Sequence, residues 1–347
     1  MNSLKSIKRI MVHNYYQILN NNNNMFSGIG NATIKSFLEQ MDALSKYGKE
    51  HLLDFKSSSV FSIDESDAIL FIDYPKVNDK ILDVAIKSKK PIFLLVWESG
   101  IVNERNIDIS RHKIFERVFT YDDKVLSERR YIKIPYTFNL PSLIPKSTEN
   151  KKMCCMVAGN KYSLHPLELY SKRLEVVNWF EANNVEDFSL YGRGWSKKIP
   201  PTNILDKIYN RSRFLHHFFP SVYKSYKGEV ADKFLVLTQY KFSFCFENAK
   251  DITGYISEKI FDSFFAGCVP IYLGADNIHD YIPSGCFIDF NEFESLEQLH
   301  EYMVNISDKD YLNYLDKIQD FLNSKESFLF SNEYFAQTIT KHIGAEL

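Results

Sequence analysis

No stretch of this 347-residue sequence reaches the roughly 18 apolar residues that a membrane-spanning helix needs. The opening run MNSLKSIKRIMVHNYYQIL has no long apolar core and makes a poor signal peptide. The chain is therefore expected in the cytoplasm, with at most peripheral membrane contact. An excess of one charge is missing too: 42 Lys and Arg stand against 44 Asp and Glu, a net charge of −2. A nucleic-acid-binding domain is usually basic, so no nucleic-acid partner is expected. A local basic pocket is still compatible with that balance. Cysteine is scarce and odd in number, at Cys154, Cys155, Cys245, Cys268 and Cys286, with no C-x-x-C pair. Cys155, Cys245 and Cys268 lie in apolar runs, as small buried hydrophobes of a reducing compartment do. The histidines lack metal-ligand spacing. The one D-x-D triplet, Asp308-Lys309-Asp310, opens a predicted tail helix and reads as capping. No metal and no cofactor is expected. A dinucleotide fingerprint is absent as well: Gly28-Ile29-Gly30 lacks the third glycine and follows an Asn tract instead of a strand.

What is present is α/β patterning in two halves. A helical period runs through Phe37, Leu38, Met41 and Leu44. DAILFID (67–73) and PIFLLVW (91–97) are short apolar runs separated by a helical stretch, a βαβ pattern that predicts a parallel sheet. RVFTYD (117–122) and YIKIPYTF (131–138) read as further strands. Residues 139–152 carry two prolines and no period, and the domain boundary is placed there. The second half repeats the pattern. Its strands are read at 153–159, 186–195, 240–248, 269–274 and 286–290, and its helices at 167–184 and 257–267. Ser257 is the expected N-cap of the 257–267 helix and Gly267 its C′ residue. Three helices follow from Leu296 onward. The five-Asn tract Asn20–Asn24 reads as a surface loop. Expected domains are 1–145 and 150–347, the second with a helical tail. Two such halves suggest Rossmann-like domains facing a cleft, with ligands beyond the C-terminal strand ends.

The chemistry is concentrated between Tyr240 and Phe293. A buried strand delivers Glu247 and Asn248 to its C-terminal end, and a polar loop with Gly254 and Tyr255 follows. The next helix has Glu258 and Lys259 in its first turn. A helix N-terminus is a natural anion site, and a Lys there opposes the helix dipole, which an anionic ligand would explain. On these residues alone, two solvated side chains at a helix start remain the alternative. In the first half, Glu98 breaks the apolar run Ile92–Trp97 where the strand should end. A capping role there is the alternative. His216 and His217, inside the aromatic run 214–219, read as packing, with a partner or acceptor surface as the alternative.

The 240–293 segment resembles the donor-binding pattern of the family 10 glycosyltransferases, the α-1,3/4-fucosyltransferases, in their bacterial type. It supplies Tyr240, Lys241, Phe242, Phe246, Glu247, Asn248, Tyr255, Ile256, Ser257, Glu258, Lys259, Val269, Pro270, Ile271 and Gly274 in order. Tyr281, Pro283, Phe287 and Phe293 also fit. Arg173, followed by YGRG at 191–194, resembles the family's helix Arg and glycine turn, and VWESG (96–100) its catalytic strand end. The first 90 residues match poorly, which is where acceptor contacts would sit.

The resemblance implies a GT-B architecture and an inverting transfer of L-fucose from GDP-β-L-fucose to a hydroxyl of a GlcNAc- or Glc-containing glycan. It implies Glu98 as base and Arg173 and Lys259 at the diphosphate. Glu247, Asn248, Tyr255 and Glu258 would hold the donor, with Arg193, Gly254 and Ser257 as secondary candidates. Another GDP-linked deoxysugar donor, or an inactive glycan- or nucleotide-binding relative, are the alternatives.

Overall fold

The computed structural model describes residues 6–27, 35–195 and 223–347. Gly28, Gly30 and the 214–219 run lie outside the described residues. The chain forms two compact units. The first comprises Met1–Leu140, Thr253–Tyr255 and Ser324–Leu347, and the second Pro141–Ile252 and Ile256–Asn323.

The first unit is built on a parallel sheet of β1 (Lys8–Asn14), β2 (Leu53–Ser57), β3 (Ala68–Ile72), β4 (Ile92–Leu95), β5 (Arg117–Thr120) and β6 (Tyr131–Lys133). The strand order is β2-β1-β3-β4-β5-β6, and every pair is parallel. β3 and β4 are buried at every position, as strands covered on both faces must be. α1 (Lys35–Glu50) turns Phe37, Leu38, Met41 and Leu44 onto the sheet, and α2 (Ile81–Ser88) connects β3 to β4. The strand order reverses between β1 and β3, so the ligand crevice of this unit lies beyond the C-terminal ends of those two strands.

The second unit has β7 (Lys152–Val157), β8 (Phe188–Tyr191), β9 (Tyr226–Gly228), β10 (Tyr240–Phe246), β11 (Val269–Leu273) and β12 (Ile288–Asp289). Their order is β12-β11-β10-β7-β8-β9, again wholly parallel. This is the dinucleotide-fold order, with its switch point between β7 and β10. α3 (Tyr170–Asn183) follows β7, α4 (Glu258–Phe265) follows β10, and α5 (Leu296–Asn305) and α6 (Asp308–Leu322) close the unit. α4 ends as read: Ala266 is the C-cap, and Gly267 follows with φ +62°. Asp308 and Asp310 occupy the first turn of α6, where Ser307 caps the Asp310 N–H.

Three expectations change. The last helix, α7 (Asn332–Gly344), packs with the first unit, placing Phe335, Ile339 and Ile343 in the core formed by β1, β3 and β4. The domain reading of 150–347 therefore ends early, because the apolar face of α7 is completed by the first sheet. β1 and β2 carry no strand signal in sequence, because KRIMVHN and LDFKS are short and interrupted by charge. The Asn tract is not a loop but short helical turns from Gln17 to Ser27. Its side chains substitute for backbone partners: Asn20 bonds the N–H and C=O of Asn14, and Asn23 accepts from the Ser57 N–H.

Candidate active site

In the second unit, the apolar strand β10 carries Glu247 to its C-terminal end, wholly buried. Burying a carboxylate is costly unless its oxygens are bonded and its charge is matched. Both conditions are met by the start of α4. Glu247 Oε1 accepts from the Ser257 N–H (2.8 Å), and Oε2 accepts from Ser257 Oγ (2.6 Å) and Lys259 Nζ (3.0 Å). Ser257 stands at the N-cap, but its hydroxyl makes no cap bond because Glu247 takes it. Lys259 also lies 3.7 Å from Glu258, and Lys233 reaches Glu258 (3.8 Å) and Asp262 (3.0 Å). Burial pushes the Glu258 carboxyl up, but Lys259 and Lys233 outweigh it and bring its pKa down to about 2. Burial lowers Lys259 less than Glu247 and Glu258 raise it, so the ammonium is held charged. The charge on Lys259 that the sequence left unexplained thus has partners within the fold, and an anionic ligand is not needed to account for it.

Arg173 sits on the buried stripe of α3. Its Nη2 donates to Phe246 O (2.6 Å), Glu247 O (2.8 Å) and Asn248 Oδ1 (3.1 Å). It therefore clamps the end of β10 and orients Asn248. The helix starts later than read because Glu168 Oε2 caps the N–H groups of Tyr170 and Ser171. Arg193 does not join this group. Its side chain is 75% exposed and pairs with Glu229 at 3.2 Å, while its backbone carbonyl accepts from Asn160. Of the expected donor residues, the fold thus gathers Arg173, Glu247, Asn248, Ser257, Glu258 and Lys259 at one strand end.

Gly254 and Tyr255 belong to the first unit. Tyr255 is buried, its ring 5.0 Å from that of Tyr121 and 6.1 Å from that of Tyr136. Thr253 Oγ1 donates to Asp122. Tyr255 is therefore a core ring beside the strand ends of the first sheet. The reason is apolar: Tyr121, Tyr136 and Trp97 form an aromatic cluster that a third tyrosine extends.

Glu98 follows β4 and is half-buried. Tyr16 Oη donates to its Oε1 (2.8 Å), and Tyr136 Oη donates to the neighbouring Trp97 carbonyl. Asp73 ends β3 and is 2% exposed. Its Oδ1 accepts from the N–H groups of Trp97 (2.7 Å) and Glu98 (2.8 Å) and from Asn106 Nδ2 (2.7 Å). Burial, then the charge of Glu98, raises the Asp73 pKa to about 7. A second cluster lies at the end of β1, where His13 bonds Ser58 Oγ and Asp79 Oδ2, both at 2.8 Å.

Residues 148–339 match the family described as "Glycosyltransferase family 10 (fucosyltransferase) C-term". The chain belongs to glycosyltransferase family 10. Among curated relatives, 100 residues are 39% identical to mouse 4-galactosyl-N-acetylglucosaminide 3-alpha-L-fucosyltransferase 9, covering 26% of this chain and 27% of that protein. Over 72 residues it is 36% identical to the Arabidopsis thaliana alpha-(1,4)-fucosyltransferase, covering 21% and 18%. Over 75 residues it is 36% identical to the Helicobacter pylori alpha-(1,3)-fucosyltransferase FucT, covering 21% and 15%. The chain thus spans about a quarter or less of the length of these relatives. The fold is similar over 98% of the chain to an α1,3-fucosyltransferase crystal structure, of which 92% is covered (TM-score 0.54, 15% identity). It is also similar over 97% to Anabaena Alr3699/HepE in complex with UDP and glucose, fully covered (TM-score 0.57, 9% identity). These likenesses show the two-domain GT-B glycosyltransferase fold.

The family 10 match contains every residue gathered around Glu247, and Glu98 lies outside it. Sequence reasoning missed Asp73, Asn106, Tyr16 and Lys233. Asp73 carried the same signal as Glu98, a carboxylate at the end of an apolar run. Tyr16 and Asn106 carried none, because only the folded loops bring them to the β3 and β4 ends.

Proposed function

We propose that this family 10 chain is a fucosyltransferase that moves L-fucose from GDP-β-L-fucose to a hydroxyl of a GlcNAc- or Glc-containing glycan, forming an α-1,3 or α-1,4 linkage. The observation that carries this reading is the Glu247–Ser257–Lys259 knot, located at the switch point of the second sheet and inside the family match. The solved relative with GDP-fucose supports the choice of donor. Arg173 and Glu247 act by holding the β10 end and the α4 start in register. The positive end of α4 and the Lys259 ammonium then hold the diphosphate of the donor. Glu98 takes the acceptor hydroxyl proton. The acceptor oxygen bonds to the anomeric carbon as the bond from that carbon to the phosphate oxygen breaks, GDP leaves with the electron pair, and the β anomer becomes α. No step uses a metal ion, and the transfer takes place in the cytoplasm on glycans reached from there.

The test is a transfer assay with GDP-fucose against lactose and N-acetyllactosamine, with linkage read by NMR. Activity is expected with EDTA present. Glu98→Gln is expected to bind GDP-fucose as tightly as the parent and to lose about 10²–10⁴-fold in turnover. Equal turnover would remove Glu98 as the base. Transfer from a different nucleotide sugar alone would move the donor assignment, and nucleotide binding without transfer from any donor would favour the inactive binding relative.

A further inference from the structure

The buried carboxylate of Asp73 has no part in the scheme above, yet it is the most heavily bonded group next to Glu98. Three donors converge on one oxygen: the Trp97 and Glu98 N–H groups and Asn106 Nδ2. Asn106 Nδ2 also donates to the Glu98 carbonyl (2.9 Å). Asn106 is itself fixed, since its Oδ1 accepts from the Tyr74 N–H (2.8 Å). Asp73 and Asn106 therefore grip both the amide and the carbonyl of Glu98. The backbone of Asp73 is left-handed, with φ +62°, at the point where β3 gives way to the crevice loop. Such a conformation in a non-glycine residue is sustained by the contacts around it.

We propose that Asp73 is a positioning residue for Glu98: it fixes the turn that presents the Glu98 carboxylate. This rests on Glu98 being the base. Burial and the charge of Glu98 favour the protonated form of Asp73, so its hold on the turn is by hydrogen bonds. Tyr16 from the β1 side and Tyr121 from the β5 side face the pair. Burial first, then the charges around them, pushes both phenols up, so they remain neutral donors.

Asp73→Ala and Asp73→Asn are the informative pair. Asn keeps an acceptor oxygen for the three donors and tolerates left-handed backbone, whereas Ala removes the acceptor. The expected result is that Asp73→Ala keeps the parent's KM for GDP-fucose and loses roughly 10- to 10²-fold in kcat, and that Asp73→Asn recovers most of that loss. A folded Asp73→Ala protein with the parent's kcat, or an Asp73→Asn protein as slow as Asp73→Ala, overturns the inference while Glu98→Gln is still inactive. If Glu98→Gln keeps its turnover, the base assignment and this inference fall together. Should Asp73→Ala not accumulate folded, Asn106→Ala, which removes the second group gripping Glu98, decides: a lowered kcat with unchanged KM for GDP-fucose upholds the inference, and the parent's kcat overturns it.

Discussion

Among the described residues, two buried carboxylates end strands, and their surroundings treat them in opposite ways. Glu247 at the end of β10 meets an ammonium and a hydroxyl. Asp73 at the end of β3 meets amides and a second carboxylate. The first arrangement matches a buried charge, and breaking such a pair costs about 3–5 kcal/mol. The second leaves a charge that the fold disfavours. Asp73 goes from 3.8 to about 7 on folding. The folded state thus holds a proton that unfolding releases. This contribution to stability is complete below pH 3.8 and is lost as pH rises through about 7. A shift of that size corresponds to at most about 4 kcal/mol. Thermal unfolding of the parent and of Asp73→Asn across that range is the check. The difference between them should favour the parent increasingly toward acid pH and favour the variant above neutrality. A difference independent of pH would contradict the buried, proton-holding carboxyl.

At the scale of elements, long periodic stretches were readable and short ones were not. α1, α5, α6 and α7 show their apolar stripes in sequence, and β3, β4, β10 and β11 show as apolar runs bounded by polar residues. β1 escaped notice although it lies at the switch point of the first sheet, because Lys8, Arg9 and His13 break its run. His13 is buried only because Ser58 and Asp79 come from distant loops to bond it. The Thr253–Tyr255 loop shows how tightly one short segment is set. Gly254 has φ +71°, and a Cβ there would lie 2.3 Å from the Tyr121 carbonyl and 2.4 Å from Lys133 Nζ. Gly254→Ala is expected to lower stability by at least the about 1–2 kcal/mol of left-handed strain. Tyr255 should also be shifted off Tyr121. Denaturant unfolding together with the NMR shifts of the Tyr255 ring reads both effects, and a variant as stable as the parent would show that the loop relaxes freely.

On the scale of the whole chain, the first unit is assembled from three separated stretches. Phe335, Ile339 and Ile343 are fully buried against side chains from the first half of the sequence. Each such side chain contributes about 1.5–3 kcal/mol by leaving water. A chain cut before Ser324 should therefore lose the cooperative unfolding of the first unit, read by calorimetry and limited proteolysis. Ile339→Ala in the full chain should cost about 2–5 kcal/mol. An unchanged first-unit transition in the shortened chain would refute the role of α7. Among the described residues, no helix is long and apolar enough to cross a membrane.

The sequence by itself determined the α/β class, the paired sheets and the family. Strand runs, helix stripes and a fifty-residue motif are local patterns that need no tertiary partner to be visible. It also named most of the residues that meet at the β10 end, because they lie within one motif or on one buried stripe. Only the tertiary structure decided what those residues touch. It turned Lys259 toward Glu247, sent Arg193 to the surface, moved Tyr255 and α7 into the first unit, and placed Asp73 under Glu98. Each of these outcomes is a balance of burial against hydrogen bonding among residues far apart in the chain, and that balance is absent from any single segment.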